Sequence, residues 1–137
     1  MTDSKAAARE LLVVDDEREI SEMTRVILEG AGYRVRIANS GDGALAAISE
    51  APPDLILLDI NMPGMDGWEL LRHLGSGQQH PGGGPKIPVV IFSIKMHVHD
   101  KVHALQEGAY DYITKPFSPD ELLARVGRIF ESLEVAP

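Results

Sequence analysis

Leu55-Ile56-Leu57-Leu58-Asp59 sets four consecutive large apolar side chains directly before a carboxylate. A run of strand length without polar alternation suits a β-strand covered on both faces, the usual state of a strand in a parallel sheet. Working outward, the same texture recurs at Leu11-Leu12-Val13-Val14, which ends in Asp15-Asp16-Glu17, and at Val89-Val90-Ile91-Phe92, which ends in Ser93. Tyr33 to Ala38 and Tyr112-Ile113-Thr114 are two further segments of strand length.

Helical patterns fill the intervals. Ile20, Met23, Ile27 and Leu28 recur at helical spacing and stop at Gly30-Ala31-Gly32, a C-terminal signal. Ser40 opens a segment carrying Ala44, Leu45 and Ile48, ended by Pro52-Pro53. Asp66 and Glu69 start a third with Leu70, Leu71 and Leu74, and a fourth runs from Val98 through Val102 and Leu105 to Gly108. The fifth begins at Ser118-Pro119-Asp120-Glu121, an N-cap serine, a first-turn proline and a capping glutamate, followed by the stripe Leu122, Val126, Ile129, Phe130, Leu133. Five βα units with short connections admit only right-handed parallel crossovers, so the expected fold is a doubly wound (βα)5 α/β domain.

At 137 residues the chain fits one domain, placed at residues 10–133 between an N-terminal tail, 1–9, and a C-terminal tail, 134–137. Residues 75–86, with five glycines and two prolines, read as a mobile surface loop. The absence of cysteine excludes disulfide scaffolds, thiolate zinc sites and cysteine nucleophiles. With 21 acidic residues against 13 basic, the chain is ill suited to grip a nucleic-acid backbone. No apolar run approaches the length of a membrane span, and Met1 to Arg9 lacks the apolar core of a signal peptide, so a cytoplasmic location is expected.

In an open α/β sheet, ligands bind beyond the carboxyl ends of the strands. There the sequence places Asp15-Asp16-Glu17, Asp59, Ser93 and Lys115-Pro116. Crowded carboxylates repel and call for a cation, and oxygen donors without His or Cys favour Mg²⁺ or Mn²⁺. A lysine in the same crevice would pair with Asp59 or with an anion bound to it. His97, His99 and His103 have metal-ligand spacing, but no Cys or carboxylate completes a set, and they read as solvated side chains.

Together, Val14-Asp15-Asp16-Glu17, the segment from Leu57 to Gly67, Ser93, and the segment from Gly108 to Phe117 resemble the receiver domain of two-component response regulators. The resemblance runs from Glu10 to Leu133. It implies a flavodoxin-like sheet in strand order 2-1-3-4-5 and makes Asp59 the acceptor of a phosphoryl group from a kinase phosphohistidine. It further implies Mg²⁺ held by Asp16, Asp59 and the main-chain carbonyl of Asn61, with Asp15 acting through water. Lys115 and Ser93 would neutralise the remaining phosphoryl charge, and the bond before Pro116 would be cis. Ser93 and Tyr112 would form the switch, and the fourth helix, fifth strand and fifth helix the output face.

The implied partners are a sensor histidine kinase or histidine phosphotransfer protein upstream and a protein partner or effector domain downstream, with neither nucleic acid nor membrane bound by this domain. A dimer formed on phosphorylation fits the same scheme. The implied role is a phospho-acceptor signalling domain, not an enzyme. Two features depart from the family pattern: the long loop, and Ile94 at the pocket mouth, where a small residue is usual. A haloacid-dehalogenase-type phosphatase would need a second aspartate where Asn61 stands, and its nucleophile would follow an early strand. A receiver-like binding module without phosphorylation is disfavoured because every chemical residue is present.

Overall fold

In the computed structural model of the chain, the described residues are 9–60, 67–75, 87–94 and 98–135. The elements are β1 (Glu10–Val14), α1 (Arg18–Gly30), β2 (Arg34–Ala38), α2 (Gly41–Glu50), β3 (Leu55–Leu58), α3 (Gly67–Gly75), β4 (Val89–Ile94), α4 (Val98–Gln106), β5 (Asp111–Lys115) and α5 (Pro119–Val135). All strand pairs are parallel and the sheet order is β2-β1-β3-β4-β5, so the order reverses between β1 and β3.

The continuous apolar strands are explained by the two layers they bury. Leu12 and Val14 of β1 join Ile56, Leu58 and Ile91 beneath α2, α3 and α4. Leu11 and Val13 turn the other way, with Leu57, Val90 and Phe92, against Leu28 of α1 and Leu122, Val126 and Phe130 of α5. Each fully buried leucine or phenylalanine contributes roughly 1.5–3 kcal/mol by leaving water.

The helix ends obey their local chemistry. Ser40 Oγ accepts from the Gly43 N–H at 3.0 Å. Glu121 N–H donates to Ser118 Oγ and Ser118 N–H to the Glu121 carboxylate, at 3.1 and 2.9 Å, the reciprocal box expected there. Past α1 and α4, Gly32 and Gly108 take φ of 101° and 114°, a region costly for residues with a Cβ.

Some boundaries differ from the expectation. Strand β4 continues through Ser93 and Ile94 because these residues pair with Thr114 and Lys115 of β5. Helix α5 reaches Val135, two residues into the expected tail. Its end is fastened to the start of β1: Arg9 forms an ion pair with Glu134 and holds its guanidinium 4.7 Å from the centre of the Phe130 ring. Phe130 in turn stacks on Tyr33 at 5.5 Å. Asn61, the Asp66 cap, residues 76–86 of the expected loop, and His97 lie outside the described residues. Among the described residues, no helix is long and apolar enough to cross a membrane.

Candidate functional site

The crevice between β1 and β3 is built by the ladder running one residue past each strand. Asp15 N–H donates to the Ala38 carbonyl at 3.0 Å, and Asp59 N–H to the Val14 carbonyl at 2.9 Å. Both aspartates are buried, Asp15 completely. Lys115 ends β5, two strands from β3, and its ammonium lies 4.9 Å from the centre of the Phe92 ring on the intervening β4. There it donates to Asp15 Oδ2 at 2.7 Å and to Asp59 Oδ2 at 3.3 Å, with Glu17 Oε1 at 3.5 Å. Burial pushes the ammonium pKa down, but the hydrogen bond to Asp15 and the charges of Asp59 and Asp15 outweigh it, leaving the pKa above the usual lysine value. The lysine is therefore cationic at neutral pH.

Carboxylate oxygens of Asp15, Glu17 and Asp59 lie within 4.8 Å of one another. Three carboxylates against one ammonium leave two formal negative charges, the amount a divalent cation supplies. With oxygen donors alone, the set fits a hard ion such as Mg²⁺. Asp16 is exposed and outside this group. Glu17, a member of the Val14–Glu17 motif with no role implied by the resemblance, is thus part of the acidic group. The chain bends at Asp16, and the Glu17 N–H donates to Asp15 Oδ1 at 2.9 Å, a turn that leaves Asp16 exposed and brings Glu17 beside Asp15.

Ser93 is buried near the carboxyl end of β4, beside Thr114. Ile94, paired with Lys115, is 57% exposed and lines a cavity of about 230 Å³ with Glu17, Ile20, Met23, Lys115 and Phe117. Tyr112 is half-buried on β5, and the Lys115–Pro116 bond is cis. Away from the crevice, the half-buried Trp68 ring lies 4.7 Å from His103, which is itself 3.9 Å from the Glu107 carboxylate.

The family model for the response regulator receiver domain matches residues 11–127, nearly the whole described fold. The chain belongs to the response regulator receiver domain family. This receiver domain is 43% identical over 116 residues to the transcriptional regulatory protein KdpE of Mycobacterium tuberculosis, covering 85% of the chain and 48% of that relative. It is 40% identical, with the same coverage, to the DNA-binding response regulator MtrA of Mycolicibacterium smegmatis. The chain thus spans about half the length of the curated relatives it matches. Among solved structures, the receiver domain of NtrX from Brucella abortus superimposes with a TM-score of 0.78 at 40% identity, covering 88% of this chain and 98% of that one. The receiver assignment places the chain in two-component signalling.

Proposed function

We propose that Asp59 accepts a phosphoryl group from the phosphohistidine of a sensor histidine kinase or histidine phosphotransfer protein, and that the acyl phosphate switches the α4–β5–α5 face for partner binding. The observation carrying this reading is the buried Lys115 ammonium, 3.3 Å from Asp59 and held in place by Asp15 at 2.7 Å. A carboxylate attacks phosphorus well only when the phosphoryl group is held in line and its equatorial charge is neutralised. An Asp59 oxygen forms the new O–P bond as the P–N bond breaks, and the electron pair leaves on the imidazole nitrogen. Lys115 then pairs with one phosphoryl oxygen and the Ser93 hydroxyl donates to another.

The divalent cation, Mg²⁺ or Mn²⁺, would be held by Asp59, Asp16 and the main-chain carbonyl of Asn61, with Glu17 as a further oxygen donor. Asp15 would act through water, because its two oxygens already accept from Lys115 and from the Glu17 N–H at 2.9 Å. When bound, the cation supplies positive charge to the phosphoryl oxygens.

Ile94 narrows the mouth of the pocket. Its β-branched side chain has few rotamers with which to step aside, and its apolar surface disfavours an ordered hydrolytic water. Ser93, by moving to the phosphoryl group, makes room for Tyr112 to turn inward, a two-state change that differential contacts can bias. The output is a cytoplasmic protein partner or an effector domain, or a dimer of receivers. MtrA is named as DNA-binding, and the match covers only 48% of it, which supports a DNA-binding effector as the recipient. With a formal charge of −8, the receiver itself is a poor DNA ligand.

The test is labelling with acetyl phosphate or a phosphorylated kinase in the presence of Mg²⁺. One acid-labile, hydroxylamine-sensitive phosphoryl group is expected, absent from the nearly isosteric Asp59→Asn. Labelling of that variant at the wild-type level would overturn the assignment.

A further inference from the structure

We propose that Lys101 and Arg125 form a two-sided cationic clamp that holds Tyr112 in its resting position and sets how readily the domain switches. This deepens the proposed function and rests on Tyr112 being the moving aromatic. The Lys101 ammonium of α4 lies 4.6 Å from the centre of the Tyr112 ring, and the Arg125 guanidinium of α5 lies 5.6 Å from it. The tyrosine therefore ties together the two helices that flank β5. The ring packs against the core layer that contains Ala104, which stands one helical turn after Lys101. These three side chains also line one cavity of about 450 Å³, together with Thr114, Phe117 and Glu121.

Arg125 cannot follow the ring. Its guanidinium donates to the Tyr112 main-chain carbonyl at 2.6 Å and lies 3.8 Å from the Asp111 carboxylate, so it is moored to the β5 backbone and to a neighbouring side chain. A ring that turns inward leaves that cation behind. The Lys101 ammonium loses its contact as well, unless α4 moves with the ring. Each contact at a partly exposed site biases the resting state about two- to fivefold. Such a bias taxes the affinity of any ligand that requires the switched state by the same factor, and removing it returns that factor.

Affinity for beryllofluoride, a mimic of the phosphoryl group, tests the clamp. It is measured by calorimetry at saturating Mg²⁺ in wild type, Lys101→Ala and Lys101→Arg, with amide exchange at residues 112–114 followed in parallel. The clamp requires Lys101→Ala to bind the mimic about two- to fivefold tighter, Lys101→Arg to return to the wild-type value, and Mg²⁺ affinity without the mimic to stay constant. Simple electrostatics has the opposite sign, since deleting a cation from an acidic protein weakens its hold on an anion. Equal or weaker binding by Lys101→Ala, in a protein whose wild type responds at Tyr112, overturns the clamp alone. Unchanged exchange at residues 112–114 in the mimic-bound wild type overturns the switch reading, and the clamp with it.

Discussion

A methyl group added at Gly67 tests how tightly the entry to α3 is pressed against the segment that follows β3. A Cβ there would stand 2.3 Å from the Ile60 Cα and 2.7 Å from both the carbonyl carbon and oxygen of that residue. All three are main-chain atoms, so no rotamer change relieves the clash, and the segments must separate by about 1 Å to reach ordinary contact. Alanine is favoured over glycine inside a helix by about 0.5–1 kcal/mol, but overpacking a closed interior costs about 1–3 kcal/mol, and here backbone must move. The overpacking wins, and a loss toward the upper end of that range is expected. Gly127, inside α5, provides the control because an added Cβ would meet nothing within 4 Å. There the same substitution should stabilise by about 0.5–1 kcal/mol. Urea denaturation reads both: with a slope of about 2 kcal/mol per molar, Gly67→Ala should lower the midpoint by about 1.5 M, and Gly127→Ala should raise it slightly. Since Ile60 directly follows Asp59, the yield of phosphoryl labelling should fall as well, even where Gly67→Ala is fully folded. A Gly67→Ala midpoint at or above wild type would refute the argument.

Mg²⁺ should raise the thermal midpoint by mass action, and both Asp16→Ala and Glu17→Ala should blunt that rise; a full response in Asp16→Ala would transfer its ligand role to Glu17. Ile94→Ala should speed both loss of the phosphoryl group and labelling by acetyl phosphate, a tenfold change needing about 1.4 kcal/mol of barrier. Equal rates in wild type and variant would show that Ile94 does not control access to the phosphoryl group. Stability should also fall at alkaline pH. Lys115 and Tyr33 both have pKa values raised in the fold, Lys115 because its acidic partners outweigh burial and Tyr33 because burial outweighs nearby Arg9. The fold therefore holds protons more tightly than the unfolded chain, so this contribution is complete below about pH 10 and lost as pH climbs through the raised values. A flat urea midpoint between about pH 9.5 and 11.5 would contradict this.

The fold was legible wherever a local rule determined it. Four apolar residues ending at Asp59 encode a strand buried on both sides, and Ser118 with Glu121 encodes a helix start, with no distant information needed. Features decided by pairing across the sheet were harder to read. The apolar run of β4 stops at Phe92, yet the strand continues because Ser93 and Ile94 find partners on β5. Asp15, Asp59, Ser93 and Lys115 were recognisable because each stands at a strand end. Which of three consecutive acidic residues joins the crevice depends on the turn that follows β1, where the chain bends at Asp16 and the Glu17 N–H bonds to the Asp15 carboxylate. The cations around Tyr112 come from α4 and α5, and no sequence period connects them to β5.

The bond between Arg9 and Glu134 joins positions 125 residues apart in sequence. Together with Arg9 lying over Phe130, it brings the entry and exit of this fold to a common seam. A fold closed in this way behaves as a tile: it can be spliced into a host chain at a single surface point, because the host need not be pried open to receive it. It also invites circular permutation. A short linker across the seam, with new ends cut at the α2–β3 turn, would reorder the sequence while leaving the spatial order of the strands intact.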